Sequence, residues 1–544
     1  MTRRGLLSVV RECFEREADA PAVMGLGVDC EEQVSFCELW IKAEIYATLI
    51  KEYHRPDQVV PLFLTRCVDC LALMLACVIA GRVFSVINSR VQVTQLEHVL
   101  KQTQTGALWI DGPGMMALKK ADTDQLEYLS GIDILALKTE NWLSMYDKQV
   151  IRMQDQLSIR VLSSNDFRKT PVSQVEKRDP LSPSACLFTS GSTGKPKGVL
   201  ISDADLISRA VSEAQNFRLN PGDRLLSILP WSFDVGLSQV LTSWVIGCPL
   251  VLLNSWLPID IVQTASRLSI TGISAVPSIW LDLLGSNLSF QSPLPRYVTI
   301  SGGSLSAEKQ AALIQRLDGI QVIKTYGQTE TCRSTIAFPD DIAVAPSSVG
   351  RAYSGTCIYI VDADMRPLPP NEHGEVLHVG DGVMLGYLDG DSSSKLIENP
   401  FYDPPCNSSK FAVRTGDLGY MDAEGRLHLL GRADDMVKIK GNRVHLSEVA
   451  SEAEALPEIQ QALPVVLAEG DQLELALFVT LAEDNPPLDE TGLRRRLATY
   501  LPSYMLPKQI LILDRFPRTA SGKPDSQALK IIAINQRQQG VIKT

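Results

Sequence analysis

The sequence lacks any apolar run long enough to cross a membrane. The most apolar stretch, Cys70–Gly81, is followed by Arg82 and is shorter than the roughly 20 residues that a transmembrane helix needs. The first residues also lack the pattern of a signal peptide, because Met1–Glu17 places apolar residues at helical spacing with charges between them. This pattern predicts an amphipathic helix, and we expect no membrane contact.

Histidines and paired cysteine motifs are also scarce. The 544 residues include six histidines and eleven scattered cysteines, and this odd number is not typical of a disulfide framework. Cys67 and Cys70 form a CxxC pair, but the absence of a second pair and the few histidines argue against a zinc site. The cysteines are better interpreted as core residues of a protein in the reducing cytoplasm.

The chain also lacks an overall positive charge. Its formal net charge of −11 excludes a global electrostatic footprint for nucleic acid, and its 45% hydrophobic content excludes disorder as the main state. The distribution of charge is uneven, because Thr491–Thr544 contains ten Lys or Arg residues and two acids. This segment predicts an anionic ligand or partner at that end of the chain, and a solvated basic face is the alternative.

Strand-like and helical patterns alternate through most of the chain. Val59–Leu64, Val83–Ile87 and Ala107–Ile110 are apolar strand candidates, and Cys67–Ala80 between the first two predicts a buried helix. The alternation continues in five further strand candidates: Arg224–Leu229, Leu250–Leu253, Gly272–Val276, Tyr297–Ile300 and Gln321–Thr325. We therefore predict an α/β fold whose large, multi-layered N-terminal domain contains parallel sheets.

The alternation of strand-like and helical patterns ends after Gly350. Short strands separated by Gly, Asp and Pro turns predict a small β subdomain that extends to Arg432. The following segment has strand candidates of its own in Glu474–Leu481 and Gln509–Leu513, together with helical patterns. We therefore predict a small α+β C-terminal domain.

The most informative string is Leu187–Gly198, which reads Leu-Phe-Thr-Ser-Gly-Ser-Thr-Gly-Lys-Pro-Lys-Gly. Its density of glycines and hydroxyl side chains, followed by two lysines, is typical of a loop that cradles phosphate groups. The glycine spacing and Pro196 differ from the P-loop of nucleotide triphosphatases. The strand-like flanks Ala185–Phe188 and Gly198–Ile201 predict that the loop joins two strands.

This string resembles the phosphate loop of the adenylate-forming superfamily, which includes acyl-CoA synthetases, firefly-type luciferases and the adenylation domains of nonribosomal peptide synthetases. Further motifs of the superfamily follow in its order as far as Lys523. The resemblance implies that ATP phosphates bind to the loop, through Thr189, Ser190, Gly191, Ser192, Thr193, Gly194, Lys195 and Lys197.

Thr325–Thr331, which reads Thr-Tyr-Gly-Gln-Thr-Glu-Thr, is similar to a second motif of the superfamily. The resemblance implies that Tyr326 stacks on adenine, that Thr329 contacts the α-phosphate and that Glu330 holds Mg²⁺, for which a carboxylate oxygen is a suitable ligand. Upstream, Gly302 and Gly303 resemble the loop that lets the adenine base approach the backbone. Taken alone, this short glycine pair would more often be a turn.

Two later motifs also match. Arg414–Gly419 contains Asp417, which by resemblance accepts hydrogen bonds from both ribose hydroxyls, as a carboxylate with two acceptor oxygens can. Gly431–Asp435 contains Arg432, which corresponds to an arginine that contacts the ribose and phosphates, and Asp434, which corresponds to the hinge residue. Without the resemblance, Asp434 would be interpreted as part of a solvated turn.

The resemblance also implies a mobile lid. It places the domain for ATP and substrate binding at residues 1–431, the hinge at 432–434 and the lid domain at 435–544. Lys438, Gly441 and Arg443 match the loop that enters the site for thioester formation, although Met436 stands where the superfamily usually has glutamine. Lys523, in Pro517–Lys523, matches the catalytic lysine of adenylation. Together with Thr329 and Glu330, it forms the implied catalytic set.

The sequence around Asp234 bears on the substrate. Members of the superfamily that activate amino acids have Phe-Asp here, as in Phe233 and Asp234, whereas Gly236 is a feature of many acyl-CoA synthetases. An α-ammonium group would give a buried Asp234 the partner that it needs, and a cap of the following helix is the alternative role. By the same resemblance the substrate pocket is lined by Asp234, Val235, Ser238, Thr299, Ser301, Thr325, Arg333 and Ser334.

Most of these side chains are small, so the pocket suits a substrate of modest size. Arg333 is unusual in such a pocket, and either pairs with an acidic or polar substrate or turns away and narrows the pocket with its aliphatic stem. A small amino acid such as proline, alanine or glycine is compatible with the lining, and so is a polar one.

These residues together predict an AMP-forming ligase that uses ATP and Mg²⁺. We expect it to activate an amino acid as its acyl adenylate and to transfer it to the phosphopantetheine thiol of a separate carrier protein, in a secondary-metabolite or cell-envelope pathway. Only 21 residues follow Lys523, without a carrier attachment motif, and the basic segment Thr491–Thr544 could dock an acidic carrier. The alternatives are an acyl-CoA synthetase for a non-amino carboxylic acid, with CoA as acceptor, and a catalytically silent nucleotide-binding protein.

Overall fold

The structure is a computed structural model that describes most of the chain. The described residues are 5–26, 32–56, 58–89, 91, 93–119, 128–138, 146–147, 150, 153–154, 156–162, 178–190, 196–391, 395–403, 409–433, 436–439, 442–469, 472–482, 489–502, 505–519 and 521–541. The polar, proline-containing stretch Phe167–Ser184 has the sequence pattern of a surface loop, and most of it lies outside the described residues.

Helices and strands alternate through the first two thirds of the chain, as predicted. In chain order the helices of the described residues are α1 (Leu6–Arg16), α2 (Phe36–Tyr53), α3 (Val68–Ala80), α4 (Val93–Thr103), α5 (Gly112–Leu118), α6 (Asp203–Asn216), α7 (Asp234–Ile246), α8 (Pro258–Arg267), α9 (Pro277–Leu284), α10 (Ala307–Arg316), α11 (Pro339–Val344), α12 (Leu446–Glu454), α13 (Glu490–Leu497) and α14 (Ser526–Val541). The predicted amphipathic N-terminal helix is α1, and its apolar face is buried.

The strands divide into several sheets. In chain order they are β1 (Pro21–Leu26), β2 (Glu32–Ser35), β3 (Val59–Phe63), β4 (Val83–Ile87), β5 (Ala107–Ile110), β6 (Asp133–Leu137), β7 (Ile159–Leu162), β8 (Pro183–Ser190), β9 (Pro196–Ser202), β10 (Leu225–Ser227), β11 (Leu250–Leu252), β12 (Gly272–Ala275), β13 (Tyr297–Ser301), β14 (Gln321–Tyr326), β15 (Thr335–Ala337), β16 (Arg351–Ala352), β17 (Thr356–Val361), β18 (Gly374–Gly380), β19 (Gly386–Tyr387), β20 (Leu396–Glu398), β21 (Phe411–Met421), β22 (Leu427–Arg432), β23 (Met436–Ile439), β24 (Asn442–His445), β25 (Ile459–Glu469), β26 (Gln472–Leu481) and β27 (Gln509–Ile512).

One sheet has the order β19-β9-β8-β4-β3-β5-β6-β7, and β4, β3, β5, β6 and β7 pair in parallel. Helix α3, which precedes β4, is buried on all sides, including its one acidic residue. The Asp69 carboxylate accepts a hydrogen bond from the Tyr46 hydroxyl and lies 2.7 Å from the Lys42 ammonium, so this buried charge has partners. The prediction of a parallel sheet in this part of the chain is confirmed.

A second large sheet has the order β16-β15-β14-β13-β12-β10-β11-β1-β2. It contains the five predicted strands of the middle region, and β11, β10, β12, β13 and β14 pair in parallel. The carboxyl ends of parallel strands meet at one edge of a sheet, where α/β proteins commonly bind ligands. Ser301 and Tyr326, the last residues of β13 and β14, therefore lie at the same edge.

The predicted small β subdomain is confirmed by an antiparallel sheet of order β17-β18-β21-β20, in which β22 also pairs with β21. Its long strand, β21, carries one of the predicted nucleotide-binding motifs. The register places Asp417 opposite Arg432, so two residues predicted from separate motifs are neighbours on adjacent strands.

The C-terminal part contains a three-stranded sheet, β25-β26-β27, and a separate two-stranded ribbon, β23-β24. Helices α12, α13 and α14 accompany these strands, as expected for an α+β unit, and its buried apolar residues form their own core clusters. This part contacts helix α9 of the N-terminal part: the Arg518 guanidinium lies 2.7 Å from the Asp282 carboxylate, and the Gln460 amide donates to the Leu281 carbonyl at 2.9 Å.

Three further findings concern the long apolar runs, paired cysteines and metal-ligating clusters that the sequence lacks. No helix among the described residues is both long and apolar enough to cross a membrane. Cys67 and Cys70 are buried in the apolar core, so their interpretation as core residues is confirmed. Within the same residues, no group of three or more His, Cys, Asp or Glu side chains is arranged to hold a metal ion.

Candidate active site

The predicted phosphate loop connects two antiparallel strands. β8 and β9 pair along their whole length, with Thr189 opposite Lys197 and Ser190 opposite Pro196, so the prediction that the loop joins two strands is confirmed. Lys197 projects toward the β19 segment, with its ammonium 5.1 Å from the ring centroid of Tyr387 and 3.4 Å from the Asp391 carboxylate. The predicted loop residues Gly191, Ser192, Thr193, Gly194 and Lys195 lie outside the described residues.

Glu330 is buried beside Thr329 and is held by two partners. Its Oε1 atom accepts a hydrogen bond from the Tyr387 hydroxyl at 2.7 Å and lies 3.4 Å from the Lys395 ammonium. Burial and the proximity of Glu330 raise the pKa of Tyr387 far above its usual value, so this phenol remains a donor. Neither Tyr387 nor Lys395 was predicted from the sequence, because both approach Glu330 from distant segments.

Asp417 lies at the centre of a second hydrogen-bonded group. Its Oδ2 atom accepts from the Tyr326 hydroxyl at 2.5 Å and from the Gln328 amide at 2.8 Å, and its Oδ1 atom accepts from Arg432 at 3.3 Å. Burial raises the pKa of Asp417, and the hydrogen bond from Tyr326 and the charge of Arg432 oppose that shift. Tyr326 and Arg432, which were predicted to contact the nucleotide, therefore both lie within hydrogen-bonding distance of Asp417, the predicted ribose ligand.

Lys523 reaches this site from the C-terminal part of the chain. Its ammonium lies 5.2 Å from the ring centroid of Phe233, and a Cβ atom built on Gly302 would lie only 3.2 Å from the Lys523 Cε atom. Burial lowers the pKa of Lys523, and attraction to Asp234 opposes that shift. The Ser278 hydroxyl of α9 donates to the Gly522 carbonyl at 2.8 Å, which holds the turn that carries the lysine.

Of the two predicted adenine-side glycines, Gly302 lies next to this lysine and Gly303 lies next to α9. Gly302 has φ +75°, a conformation that favours glycine, and a Cβ atom there would crowd both Phe233, at 3.0 Å, and Lys523, at 3.2 Å. Gly303 packs against Pro277, where a Cβ atom would lie 3.1 Å from the proline Cγ atom. A larger residue at Gly302 would therefore press on Phe233 and Lys523, and one at Gly303 would press on Pro277 of α9.

Asp234 is the first residue of α7 and is almost fully buried. Its Oδ1 atom accepts from the Val235 backbone N–H at 2.8 Å, so the carboxylate does satisfy a donor of the first helical turn. Its Oδ2 atom also lies 3.9 Å from the buried guanidinium of Arg209, whose Nε atom donates to the Ser238 hydroxyl at 2.6 Å. Arg209 is therefore a pocket residue that the sequence analysis missed.

Gly236 has a packing role. A Cβ atom at this position would lie 2.2 Å from the Pro230 carbonyl oxygen and 2.8 Å from that of Leu229. The first turn of α7 therefore needs glycine to lie against the preceding loop.

The remaining predicted pocket residues converge at the ends of β13 and β14. The Thr299 and Ser301 hydroxyls lie 3.1 Å apart, those of Ser301 and Thr325 lie 2.6 Å apart, and Arg333 donates to Thr325 at 2.8 Å. Ser334 is the exception, because its hydroxyl bonds to His378 of β18 at 3.0 Å. The structure thus brings most of the predicted lining together and directs Ser334 toward the β subdomain.

Arg333 is engaged within the protein. Its Nε atom donates to the Glu213 carboxylate at 2.7 Å, and both side chains are almost fully buried. Burial alone would lower the pKa of Arg333, but the attraction of Glu213 outweighs it, so the guanidinium stays charged. Of the two predicted roles for Arg333, pairing with a substrate or narrowing the pocket, the second agrees with this geometry.

Arg209 and Glu213 do leave a signal in the sequence. Both lie on α6 with Leu206, Ala210 and Ala214, and this set follows the helical spacing of a buried face. Charged residues on an otherwise apolar helical face indicate buried partners, which is how these two residues could have been found.

The predicted thiol-transfer loop is described only in part. β23 and β24 pair with Lys438 opposite Arg443, which forms a two-stranded ribbon. Gly441 and the predicted hinge residue Asp434 lie outside the described residues.

Comparison with known proteins identifies two sequence families. Residues 10–388 match the AMP-binding enzyme family, and residues 448–523 match the AMP-binding enzyme C-terminal domain. Bacitracin synthase 3 of Bacillus licheniformis is 26% identical over 96% of this chain and 8% of its own length. The phosphinothricin tripeptide synthetase PhsC of Streptomyces viridochromogenes is 33% identical over 63% of this chain and 31% of its own length. The chain thus spans less than a third of the length of either relative.

Solved structures are similar over nearly the whole chain. The o-succinylbenzoate CoA synthetase of Bacillus subtilis, in complex with its acyl-adenylate intermediate, has a TM-score of 0.76 and 22% identity and covers 97% of this chain and 99% of its own. The anthranilate CoA ligase AuaEII, in complex with anthranoyl-AMP, has a TM-score of 0.78 and 19% identity and covers 98% of both chains. At these identities the likeness establishes the fold.

Proposed function

This chain belongs to the AMP-binding enzyme family, and we propose that it is an AMP-forming ligase that activates an amino acid with ATP. The substrate carboxylate attacks the α-phosphate of ATP, an acyl adenylate forms and pyrophosphate leaves. A thiol then attacks the adenylate carbonyl carbon, which yields a thioester and releases AMP. The acceptor that we propose is the phosphopantetheine arm of a separate carrier protein.

The observation that carries this proposal is the convergence of Lys523, Asp234 and Gly302 at one edge of the second large sheet. The reacting carboxylate and phosphate groups are both anionic, so a cation placed between them lowers the barrier by stabilising developing charge. Lys523 is enclosed beside Phe233 and Asp234, and enclosure strengthens its electrostatic effect. A solvent-exposed lysine would stabilise the developing charge less, because water screens its ammonium group.

We assign nucleotide binding to the hydrogen-bonded group around Asp417. Tyr326 and Arg432 fix the Asp417 carboxylate, and we propose that this carboxylate receives the ribose hydroxyls while the Tyr326 ring lies against adenine. Gly302 and Gly303 leave room for the base. The phosphates are assigned to the segment from Thr189 to Lys197, which includes Ser190, Gly191, Ser192, Thr193, Gly194 and Lys195.

Glu330 is the residue that we propose to hold Mg²⁺, together with the phosphate oxygens of ATP. Mg²⁺ commonly binds through one or two carboxylates plus substrate phosphates, and a buried carboxylate with a nearby threonine, Thr329, fits that pattern. When bound, the ion would offset the negative charge of the phosphates. Tyr387 and Lys395 fix the position of the Glu330 carboxylate.

The assignment of an amino acid rests on Asp234. Its carboxylate lies 3.9 Å from Arg209, beyond hydrogen-bonding distance, so we propose that the substrate α-ammonium supplies the close ionic partner. We propose that the substrate side chain is surrounded by Val235, Ser238, Thr299, Ser301, Thr325, Arg333 and Ser334. An acyl-CoA synthetase for a simple carboxylic acid remains the second candidate, because Arg209 already provides Asp234 with a counter-ion.

For the second half-reaction we propose a rotation of residues 435–544 about Asp434. Lys523 would leave the site, and the segment with Lys438, Gly441 and Arg443 would enter it, so one site would serve two reactions. The basic segment Thr491–Thr544 suits an acidic carrier protein, and CoA is the alternative thiol.

The test is ATP–pyrophosphate exchange with a panel of amino acids and simple carboxylic acids, using the full chain and a Lys523→Ala control. We expect exchange with one amino acid and its loss in the control. Exchange that only non-amino acids support would replace the amino-acid assignment with the acyl-CoA synthetase. Silence with every acid, accompanied by ATP binding in calorimetry, would support a silent nucleotide-binding protein.

A further inference from the structure

We propose that Glu213, a residue of α6, sets the charge selectivity of the substrate pocket by neutralising Arg333, so that the pocket takes small, uncharged side chains and rejects acidic ones. This inference rests on the proposed function and narrows the substrate class of the same site. Glu213 acts through Arg333, so it is a positioning residue.

The first step of the argument is the arrangement of charges on α6. Arg209 and Glu213 are four residues apart and therefore lie on the same face of the helix. Arg209 faces Asp234 of α7, and Glu213 faces Arg333, which follows β14. Arg209 and Glu213 thus each face a residue of opposite charge, and these two partners belong to different elements.

The second step is the balance of these charges. The four side chains comprise two cations and two anions, and all four are almost fully buried. Buried charges are costly unless they are paired. An acidic substrate side chain would approach Arg333, whose charge Glu213 already balances, and its own charge would have no partner.

The third step concerns Arg333 itself. Glu213 accepts from its Nε atom at 2.7 Å, and Thr325 accepts from its NH1 atom at 2.8 Å. An arginine in a substrate pocket would ordinarily favour an acidic ligand, because the guanidinium binds carboxylates well. Here the Glu213 carboxylate of the protein already binds the Arg333 guanidinium in place of a ligand. The second oxygen of Glu213 lies 3.4 Å from the Thr242 hydroxyl.

The hydroxyl groups of Ser238, Thr299, Ser301 and Thr325 complete the surroundings. Hydroxyls can donate or accept hydrogen bonds and carry no charge. The pocket therefore suits a small side chain that is apolar or bears a neutral polar group.

The experiment compares substrates of equal size that differ by one charge. ATP–pyrophosphate exchange gives kcat/KM for asparagine and aspartate, for glutamine and glutamate, and for succinamate and succinate. The full chain is compared with the Glu213→Gln variant, which keeps the size of the side chain and removes its charge. Where exchange is slow, calorimetry with the sulfamoyl adenosines of asparagine and aspartate gives the ratio of their dissociation constants, which measures the same preference for the neutral side chain.

We expect the unchanged protein to prefer the neutral member of a pair by at least tenfold. In Glu213→Gln the uncompensated Arg333 should lower that preference by at least tenfold. Asp223→Asn is the matched control, because Asp223 is also a buried carboxylate paired with an arginine, Arg296, at 2.8 Å, but it precedes β10 and lies at the opposite end of the strand from Asp234. The preference of Asp223→Asn for the neutral substrate should equal that of the unchanged protein.

Arg333→Gln provides the reciprocal test. It also keeps the inference testable if the Glu213→Gln variant does not fold. The uncompensated Glu213 should favour 2,3-diaminopropionate over asparagine by at least tenfold relative to the unchanged protein, and the double variant should regain neutral preference. Equal preference in the unchanged protein and in a folded single variant would overturn the inference, as would a shift of both single variants in the same direction. A protein that uses only succinamate and succinate would contradict the amino-acid proposal while still testing Glu213.

Discussion

The ammonium of Lys523 lies 5.2 Å from the centre of the Phe233 ring, although the two residues belong to distant parts of the sequence. A cation over an aromatic face gains about 0.5–2 kcal/mol, depending on its exposure to water. The ring therefore favours the position of the lysine beside Asp234 and Gly302. The same enclosure makes the charge state of the lysine sensitive to pH.

The first prediction concerns that pH dependence. Burial lowers the pKa of Lys523 below its usual value of 10.5, and the cation is the form that stabilises the anionic reacting groups. The kcat/KM for pyrophosphate exchange should therefore fall as the pH rises through this lowered pKa. In Lys523→Arg the guanidinium stays charged, so the alkaline limb should move to higher pH.

A pH profile of exchange checks this prediction. Lys530→Arg on α14 serves as the control and should leave the profile unchanged. An identical alkaline limb in the protein and in Lys523→Arg would assign the titration to another group.

The second prediction concerns Asp234. Replacement by asparagine removes the proposed partner of the substrate ammonium and should weaken amino-acid activation by about 2–5 kcal/mol, the usual cost of truncating one partner of a buried charge pair. Exchange with a simple carboxylic acid should not fall by a comparable factor. Exchange kinetics with both kinds of acid give the comparison, and full activity with the amino acid would remove Asp234 from its proposed role.

The third prediction concerns Gly236. A methyl group there would lie 2.2 Å from the Pro230 carbonyl oxygen, so Gly236→Ala should destabilise the protein by about 1–3 kcal/mol or more through overpacking. Gly106→Ala is the matched control, because no atom lies within 4 Å of the Cβ position at Gly106. Thermal unfolding should separate the two variants clearly, and equal melting temperatures would show that α7 can shift.

The fourth prediction concerns Glu454 of α12, which faces Lys309 of α10. Burial raises the pKa of Glu454 to about 7 from 4.5, and the hydrogen bond from the Ala462 N–H and the charge of Lys309 only partly oppose this. Because the folded pKa is raised, the contribution to stability is fully present below pH 4.5 and is lost as the pH rises through about 7.

Glu454→Gln should therefore be more stable than the unchanged protein at pH 8, by roughly 1–3 kcal/mol, and similar to it at pH 4.5. Denaturant unfolding at both pH values measures the difference. Glu448→Gln, an exposed residue of the same helix, is the control. A Glu454→Gln variant that gains no stability between the two pH values would assign the dependence elsewhere.

Local patterns in the sequence were sufficient for much of the fold. Val83–Ile87 and Ala107–Ile110 are strands with the predicted bounds, because short apolar runs between polar turns have few other ways to be buried. The motifs around Tyr326 and Asp417 also lie together as their resemblance implied.

The partners of the pocket charges could not be predicted in the same way. Glu213 pairs with Arg333, and Arg209 lies near Asp234, through contacts between elements far apart in the sequence. Nothing local specifies which helix packs over which strand end. The packing role of Gly236 was missed for the same reason, because the Pro230 carbonyl approaches it only in the folded chain.

The pairing of Glu213 with Arg333 also bears on how such a pocket changes during evolution. A single substitution at either position leaves a buried charge without a partner, which commonly costs several kcal/mol. A change to an uncharged pair therefore requires two mutations, and the first is harmful unless the second is present. Residues 213 and 333 should consequently show strong epistasis, and descendants of this protein should exchange both residues together or neither.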